Sequence, residues 1–439
     1  MEHLSALKKS FRSGLTRSLA FRREQIRAIQ RAITENVDRI TAASRADLGH
    51  DMGPFTCGVI EDECSYALAH LEAWMTVQEA VDGPYKKQVR QEPFGAVLII
   101  SPWNAALVLA FQPLVGVIAA GNVALIKPSE WAPHGSRLIK ELVQEYLDPR
   151  VVRVEEGDVE TSKGLLSLDR WDFIVFTGGN ETGRQDKTVM IKAAERLTPV
   201  LLELGGKSPT VVLDSANIQE SAKAIARGKL TGSGQVCVSP DYIVCSPKIQ
   251  SELQQALEQE LLEGVKVKDG LSENPLVSHI VHERAFHRLK GMADRIIERG
   301  KGGFVGDLKP NQATLFLPPL VSRAQVGDEI LESEIFGPFL PILTLPDVDA
   351  IVDYINSRDT PLALYVFGAL EDAEDVVSRV PSGGCGVNDV LTTIGDARMP
   401  LGGLGASGVG AYRGKFSFEQ FTHPRLVIVK NLSLSSSSV

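Results

Sequence analysis

Short apolar runs alternate with segments of helical periodicity through the first half of the chain. Phe94–Ile100 is a continuous apolar run that closes at Ser101-Pro102, and Val123–Ile126 and Phe173–Phe176 repeat the pattern. Runs of this length, apolar throughout and bounded by turn residues, are typical of parallel strands that are buried on both faces. Because helical segments separate the runs, we predict an α/β fold built around a doubly wound parallel sheet.

The second half of the chain repeats the alternation, with predicted strands at Thr210–Leu213, Tyr242–Cys245 and Ala363–Phe367. A length of 439 residues corresponds to about two or three domains. We therefore expect two α/β domains that share a cleft. Before the first strand, apolar periodicity predicts one long amphipathic helix over Ile26–Ile40 and a second helix from Ile60 to about Val81.

Composition argues against several classes of protein. The chain has 46 basic and 55 acidic side chains, a net charge of −9 that does not suit a nucleic-acid binder. Its longest apolar stretch, Ala105–Gly121, is interrupted by Gln112 and Pro113, which predicts a buried helix and no membrane anchor. Five cysteines without C-x-x-C spacing and eight scattered histidines predict neither a disulfide framework nor a metal site. We expect a cytoplasmic protein.

Two predicted strand ends carry residues that suit nucleotide binding. Gly178 to Gly183 lie between an apolar strand and a predicted helix, where glycines let the backbone approach a phosphate. The loop is not G-x-G-x-x-G, and a plain strand–helix turn is the alternative. Lys127 and Glu130 end another strand, at the edge where α/β sheets bind ligands, so they could hold a ribose or form a solvated turn.

Three further positions could carry chemistry. Glu203 lies in an apolar run, where burial should raise its pKa and suit it to act as a general base, unless it forms an ion pair with Lys207. Cys237 follows a glycine-containing turn, where a helix N-terminus would favour the thiolate, although a small buried apolar residue is the alternative. Asn104 follows the first core strand and could donate to an oxyanion or form a turn.

In this order the motifs resemble the NAD(P)-dependent aldehyde dehydrogenase superfamily, from about Arg22 to Arg425, and the 34-residue separation of Glu203 and Cys237 also matches. The motifs that carry the resemblance are Pro102–Asn104, Lys127–Glu130, Phe176–Gly178, Glu203–Lys207, Gly234–Cys237, Glu334–Pro338 and Gly402–Gly408. The stretches that are similar to its class 3 branch are Leu197–Val200, Val238–Tyr242, Asn388–Val390 and Gly414–Phe418.

The resemblance implies a role for each matched residue. Cys237 would be the nucleophile, Asn104 the oxyanion donor and Glu203 the general base. The residues implied at the cofactor are Trp103, Lys127, Glu130, Gly178, Gly179, Gly183, Glu334 and Phe336. These roles imply oxidation of an aldehyde to a carboxylic acid, through a thiohemiacetal and a thioester, with NAD or NADP as cofactor. Glu130 favours NAD, because its carboxylate would repel a 2′-phosphate.

The resemblance also implies an aldehyde dehydrogenase-like fold: a Rossmann-type cofactor domain, an α/β catalytic domain and a small β bridging element. The expected ranges are 1–82 and 93–203 for the cofactor domain, 204–405 for the catalytic domain, 83–92 and 411–432 for the bridging element, and 433–439 for a flexible tail. Because bridging strands pair between subunits in this superfamily, a homodimer is expected.

Departures from the superfamily pattern bear on substrate and cofactor. Ala105-Ala106 stands where class 3 members usually have Tyr-Pro, so we expect a wider mouth and a bulky aliphatic, aromatic or terpenoid aldehyde. Gly179, Thr182 and the stretch Arg184–Met190 differ from the usual phosphate loop and could alter cofactor choice. The alternatives are an acyl-thioester reductase, an enzyme that transfers the acyl group to coenzyme A, and a non-catalytic or cofactor-impaired binding protein. The presence of Glu203 favours hydrolysis.

Overall fold

The computed structural model describes residues 2–82, 84–168, 170–179, 185–268, 271–392 and 394–431. The helices are α1 (Glu2–Arg12), α2 (Leu19–Thr34), α3 (Val37–Leu48), α4 (Gly53–Trp74), α5 (Ala106–Ala120), α6 (Pro133–Tyr146), α7 (Val159–Leu166), α8 (Gln185–Ala194), α9 (Ile218–Leu230), α10 (Gln250–Val265), α11 (Glu283–Glu298), α12 (Val348–Asn356), α13 (Leu370–Arg379) and α14 (Gly414–Gln420). Gly183 and the expected tail at 433–439 lie outside the described residues.

The strands are β1 (Gln78–Asp82), β2 (Tyr85–Pro93), β3 (Ala96–Ile100), β4 (Val123–Lys127), β5 (Val152–Val154), β6 (Phe173–Thr177), β7 (Val200–Glu203), β8 (Pro209–Val212), β9 (Tyr242–Cys245), β10 (Val267–Lys268), β11 (Leu271–Ser272), β12 (Gly302–Phe304), β13 (Leu320–Ala324), β14 (Phe339–Thr344), β15 (Ala363–Phe367), β16 (Gly384–Val387), β17 (Gly408–Val409) and β18 (Thr422–Lys430). The apolar runs identified in the sequence therefore form strands, and the predicted α/β fold class is confirmed.

A six-stranded sheet has the order β17-β7-β6-β3-β4-β5, and all its strands except β17 come from the first half of the chain. Neighbouring strands within this sheet are parallel, except that β17 pairs antiparallel with β7. After β3, the chain forms β4 and β5 on one side of this strand and then forms β6 and β7 on its other side. The direction in which strands are added therefore reverses beside β3. In sheets of this kind, ligands bind at the carboxyl ends of the strands where the winding reverses.

A seven-stranded sheet lies in the second half, in the order β12-β13-β14-β9-β8-β15-β16, and it is parallel except for the pairing of β12 with β13. Residues 204–208 lead from β7 of the first sheet into β8 of the second. Glu203 is thus the last residue of one sheet before the chain enters the other. The domain boundaries expected from the sequence stay a prediction.

A third sheet has three antiparallel strands, in the order β1-β2-β18. Its first strand corrects the sequence interpretation, which continued a helix to about Val81. The helix α4 instead begins at Gly53, where Pro54 suits the first turn, and ends at Trp74. Residues 78–82 then pair with β2, and this pairing outweighs the local helical pattern.

The predicted helix over 26–40 is also corrected, because it is two helices, α2 and α3, that separate at Glu35 and Asn36. The Asn36 amide donates to the Ala32 carbonyl oxygen at 3.0 Å and to the Tyr146 hydroxyl at 3.0 Å. Asparagine side chains that bond to nearby backbone in this way compete with continued helix. The break turns α3 so that it packs against α6 and α4.

Helix α5 is buried along almost its whole length, and it continues through Pro113. Its apolar character all round matches the buried helix that the sequence predicts. Across the described ranges, no helix combines the length and the apolar character needed to cross a membrane.

Candidate active site

A pocket of about 1080 Å³, open to solvent on one side, brings together residues that are far apart in the sequence. Asn104 and Cys237 both line it, and so do Trp103, Ala105 and Ala106. Further parts of the wall come from α3, from the start of α4, and from Leu401 and Tyr412-Arg413. Most of the lining side chains are apolar. The pocket therefore suits an apolar molecule that presents one reactive group to a thiol and an amide.

Cys237 lies in a tightly wound loop that begins with the 3₁₀ turn Thr231–Gly234. Gly232, Ser233 and Gly234 all have left-handed backbone angles, with φ of 60°, 53° and 72°. Only glycine takes this region without strain, and a side chain at Gly234 would place its Cβ 2.2 Å from the Gly337 carbonyl oxygen. The glycines are thus needed for the close approach of this loop to residue 337.

Gln235 fixes this loop relative to Asn104. The Asn104 amide donates to the Gln235 carbonyl oxygen at 3.0 Å, and the Gln235 amide donates to Ser278 Oγ and the His279 carbonyl oxygen, each at 2.9 Å. The Val281 N–H completes the set by donating to the Gln235 side-chain oxygen at 3.1 Å. Asn104 is therefore held by the same loop that carries the thiol.

Glu203 ends β7 and is only 4% exposed. Its Oε1 has no hydrogen-bond partner among the described residues, and burial raises its pKa to about 8. The sequence-based alternative of an ion pair with Lys207 is wrong, because Lys207 bonds to Asp241 at 2.5 Å. The carboxyl of Glu203 is not among the groups that line the pocket, yet it lies close enough to Cys237 to influence the thiol.

The thiol of Cys237 is protonated at neutral pH. Burial, and then the nearby carboxyls of Glu203 and Glu334, raise its pKa to about 12. The expected effect of a helix N-terminus is absent here, because the next element after Cys237 is strand β9. A reaction that begins at this sulfur therefore needs a base to take its proton.

The segment 330–337 carries Glu334 and Phe336, and buried charges hold it in place. Lys207 donates to the carbonyl oxygens of Ile330 and Ser333, each at 2.8 Å, and the Ile335 N–H donates to Asp241 at 2.8 Å. These bonds fix the segment on both sides of Glu334.

Both residues of this segment face the region around Cys237. The Glu334 carboxyl lies so close to Gly205 that a Cβ there would be 2.4 Å from Glu334 Oε2. The Phe336 ring meets the Trp103 ring edge to face at 5.7 Å between centroids. Trp103 thus separates the pocket from Phe336.

The carboxyl ends of β3, β4 and β6 carry the other residues expected at a cofactor. Lys127 is buried at the end of β4, so it is not a solvated turn, and its Nζ lies 2.9 Å from Glu130 Oε2. The Gly178 N–H donates to the Glu203 carbonyl oxygen at 3.0 Å, which ties the start of the glycine loop to β7. A cation and a carboxylate beside the point where the winding reverses form a donor and acceptor set that fits a dinucleotide. Gly179 lies in this loop, and Gly183 falls outside the described residues.

Sequence reasoning missed several side chains of the pocket. Tyr412 and Arg413 are buried in its wall, and the Tyr412 hydroxyl has no hydrogen-bond partner among the described residues. Ser44 and His50 line another part of the wall. No local motif marks these residues, and only the packing of distant segments brings them to Cys237. The described residues contain no group of three or more metal-ligating side chains.

The chain is similar to known proteins both in sequence and in structure. The model of the Aldehyde dehydrogenase family matches residues 3–427. The 4,4'-diaponeurosporen-aldehyde dehydrogenase of Staphylococcus aureus is 36% identical over 98% of this chain and 93% of its own length. A Rattus norvegicus aldehyde dehydrogenase described as dimeric and NADP-preferring is 37% identical over 97% of this chain and 93% of its own length.

A Mus musculus relative named aldehyde dehydrogenase family 3 member A2 is 37% identical over 97% of this chain and 87% of its own length. Among solved structures, the substrate-bound state of Staphylococcus aureus AldH is 34% identical, covers 99% of this chain and 95% of that chain, and superposes with a TM-score of 0.92. The similarity thus extends over the whole of the described fold.

Proposed function

Since the chain belongs to the class 3-like branch of the aldehyde dehydrogenase family, we propose that it oxidises a bulky aldehyde to the carboxylic acid through a covalent bond to Cys237. The observation that carries this proposal is the placement of Cys237 and Asn104 in one apolar pocket, with the buried carboxyl of Glu203 near the thiol and its Oε1 without a hydrogen-bond partner among the described residues. This set supplies a nucleophile, an oxyanion donor and a base.

The first step is attack of the Cys237 sulfur on the aldehyde carbon. The thiol proton passes to Glu203, whose raised pKa makes it a better proton acceptor than an ordinary carboxylate. The carbonyl oxygen becomes an oxyanion, to which the Asn104 amide and the Cys237 backbone N–H donate. A donor of this kind contributes about 3–4 kcal/mol in other enzymes. The product of this step is a thiohemiacetal on Cys237.

The second step removes a hydride from the thiohemiacetal carbon and leaves a thioester. NAD(P), when bound, would accept that hydride. Glu334, Phe336 and Trp103 would border the nicotinamide end, while Lys127 and Glu130 would bind the adenosine ribose. Gly178 and Gly179 would lie at the pyrophosphate, together with Gly183.

The third step is hydrolysis of the thioester. Glu203 first releases the thiol proton to solvent and then takes a proton from a water molecule, whose oxygen attacks the thioester carbon. The Cys237 sulfur leaves as the thiolate and takes this second proton back from Glu203. The aldehyde, water and oxidised cofactor thus give the carboxylic acid, reduced cofactor and a proton. Division of the oxidation into covalent steps lowers each barrier.

Two observations support a bulky aldehyde, and a third supports NAD. Ala105 and Ala106 line the pocket and leave space beside Asn104 that larger side chains would fill. The Staphylococcus aureus relative is named for a long terpenoid aldehyde. The Glu130 carboxylate is exposed at the adenosine side, where it favours NAD over NADP, although the rat relative is NADP-preferring.

The formation of reduced nicotinamide with aliphatic, aromatic and terpenoid aldehydes, each with NAD and with NADP, tests the proposal. We expect turnover with both cofactors, a higher kcat/KM with NAD, and better use of bulky than of short aldehydes, because the apolar pocket binds the larger apolar surface. The acid product is identified by mass spectrometry. An acyl-coenzyme A product would contradict hydrolysis of the thioester. A preference for short aliphatic aldehydes would contradict the predicted wide entrance to the substrate pocket.

We also propose that the three-stranded sheet joins two copies of the chain. The outer strands β1 and β18 expose Val81, Leu426 and Ile428, with Leu426 63% exposed. Apolar side chains on an unpaired strand edge favour pairing with another strand. Light scattering should give the mass of a dimer for the wild type and a smaller mass for Ile428→Asp. A wild-type monomer would contradict the proposal.

A further inference from the structure

The wall that α3 and the start of α4 contribute carries a polar pair, Ser44 and His50, beside the apolar Met52 and Phe55. His50 is 6% exposed, and its Nδ1 lies 2.8 Å from Ser44 Oγ. The other ring nitrogen, Nε2, has no hydrogen-bond partner in the described part of the chain. A ring nitrogen of a residue that lines an apolar pocket, with no protein partner, can form a hydrogen bond with a polar group of a ligand.

The backbone fixes His50 in this position. Gly49 ends α3 in the left-handed region, with φ of 76°, and so turns the chain away from the helix axis just before His50. On either side, the Leu48 carbonyl oxygen accepts from the His279 N–H at 2.9 Å, and the Asp51 N–H donates to the Pro275 carbonyl oxygen at 2.8 Å. His50 is thus bound to the segment 275–279 at both ends.

The same segment holds the loop that carries the thiol. Ser278 and His279 accept the hydrogen bonds of the Gln235 side chain, and Gln235 lies two residues before Cys237. The positions of His50 and Cys237 are therefore fixed relative to each other through one short segment. A rigid separation of this kind suits recognition of two groups on one ligand.

The chemistry of this wall selects a neutral group. Burial lowers the pKa of His50 to about 4, so its ring is uncharged at neutral pH. The nearby Asp47 carboxylate also lines the pocket and accepts the backbone N–H groups of His134 and Gly135, at 3.0 and 2.7 Å. A ligand carboxylate at His50 would thus meet the negative charge of Asp47, whereas the Arg413 cation of the same pocket lies close enough to Glu203 and Cys237 to influence them. Depending on the tautomer, Nε2 either donates or accepts, and a hydroxyl can pair with it in both cases.

We propose that His50, supported by Ser44, binds a hydroxyl group that the substrate carries at a distance from its aldehyde. The substrate class is therefore an apolar aldehyde with a second, neutral hydroxyl. This inference rests on the proposed function, since it takes the aldehyde carbon to lie at Cys237.

A homologous series of ω-hydroxyaldehydes, each compared with the alkanal of equal chain length, tests the inference. At one chain length the hydroxyl should raise kcat/KM about tenfold, the effect of a hydrogen bond to a buried group. His50→Leu should remove this preference, so that the hydroxyaldehyde and the alkanal of equal chain length have equal kcat/KM in the variant. The exposed His287→Leu, on the far helix α11, is the matched control and should keep the preference.

Binding without turnover separates this inference from the proposed function. Calorimetry with an α,ω-diol and with the primary alcohol of equal length needs neither cofactor nor reaction. We expect tighter binding of the diol to the wild type, and equal binding of the two alcohols to His50→Leu. A diol preference that survives in His50→Leu, or no preference at any chain length, would overturn the inference. The ω-oxo carboxylic acids should be poorer substrates than the hydroxyaldehydes, and the reverse order would overturn it too.

Discussion

Replacement of Cys237 by alanine should lower the rate of aldehyde oxidation by on the order of 10⁴-fold or more. In the proposed mechanism the sulfur forms the covalent bond on which every later step depends, and Cys237 is the one cysteine among the described residues that line the pocket. Asn104 and the cofactor residues stay in place in this variant. The calorimetric affinity for NAD should therefore change little, while reduced nicotinamide no longer accumulates with any aldehyde.

Cys385→Ala is the matched control, because Cys385 is also partly exposed but lies away from the pocket. It should keep the wild-type rate, and both variants should unfold at similar temperatures. Mass spectrometry of protein incubated with aldehyde and NAD at low pH should show the acyl adduct on Cys237. A Cys237→Ala variant that retains a tenth of the wild-type activity would contradict the covalent mechanism.

Replacement of Glu203 by glutamine should separate oxidation from hydrolysis. Glutamine has nearly the same shape but cannot take a proton, so steady-state turnover should fall by about 10²–10⁴-fold. Rapid mixing should still show reduced nicotinamide, up to one equivalent per site, as the thioester accumulates on Cys237. The first equivalent should form more slowly than in the wild type, because Glu203 also receives the thiol proton.

The pH dependence of the wild type should follow the same carboxyl. Because burial raises the pKa of Glu203 to about 8, most of this base is protonated at neutral pH. The rate of thioester hydrolysis should therefore increase with pH and level off above about pH 8. In Glu203→Gln this increase should be absent. The exposed Glu298→Gln is the control and should keep the wild-type profile. An unchanged profile in Glu203→Gln would show that another group is the base.

The raised pKa of Glu203 also makes the free energy of unfolding depend on pH. The unfolded carboxyl ionises near pH 4.5, whereas the folded one stays neutral until about pH 8. As pH rises between these values, the wild type should lose unfolding free energy relative to Glu203→Gln, on the order of 5 kcal/mol in full. Below pH 4.5 the difference between the two proteins should no longer change with pH. Denaturant unfolding of both proteins across this range measures the effect.

The strands that the sequence predicts in the two large sheets follow closely from local sequence, because they are apolar on both faces, whereas β12, β13, β14, β16 and β17 were not predicted. β9 and β15 have the predicted bounds, and β3 and β4 differ by one or two residues. The helices before β3 were less predictable. The break at Asn36 depends on Tyr146, which lies on another helix, and β1 forms through its pairing with β2. Such long-range contacts leave no periodicity in the local sequence.

For the candidate site, the sequence indicated residues that carry recognisable chemistry. Asn104 and Cys237 do line one pocket, and the carboxyl of Glu203 is buried near the thiol, with no hydrogen-bond partner for its Oε1 among the described residues. Their catalytic roles stay predictions until the variants are measured. The sequence could not indicate Asp241 as the partner of Lys207, nor His50 in the pocket wall. These positions depend on how separate segments pack, and a lone histidine or aspartate has no distinctive local pattern.

The pairing of β17 with β7 has a consequence for biosynthesis. A ribosome makes residue 203 long before residue 408, so during translation the strand that carries Glu203 lacks its neighbour on one side. The segment that supplies this neighbour also brings Tyr412 and Arg413 to the pocket. The reactive centre is therefore completed only when nearly the whole polypeptide has emerged. A truncated translation product that ends before residue 408 therefore contains Cys237 but lacks the segment that completes the pocket around it.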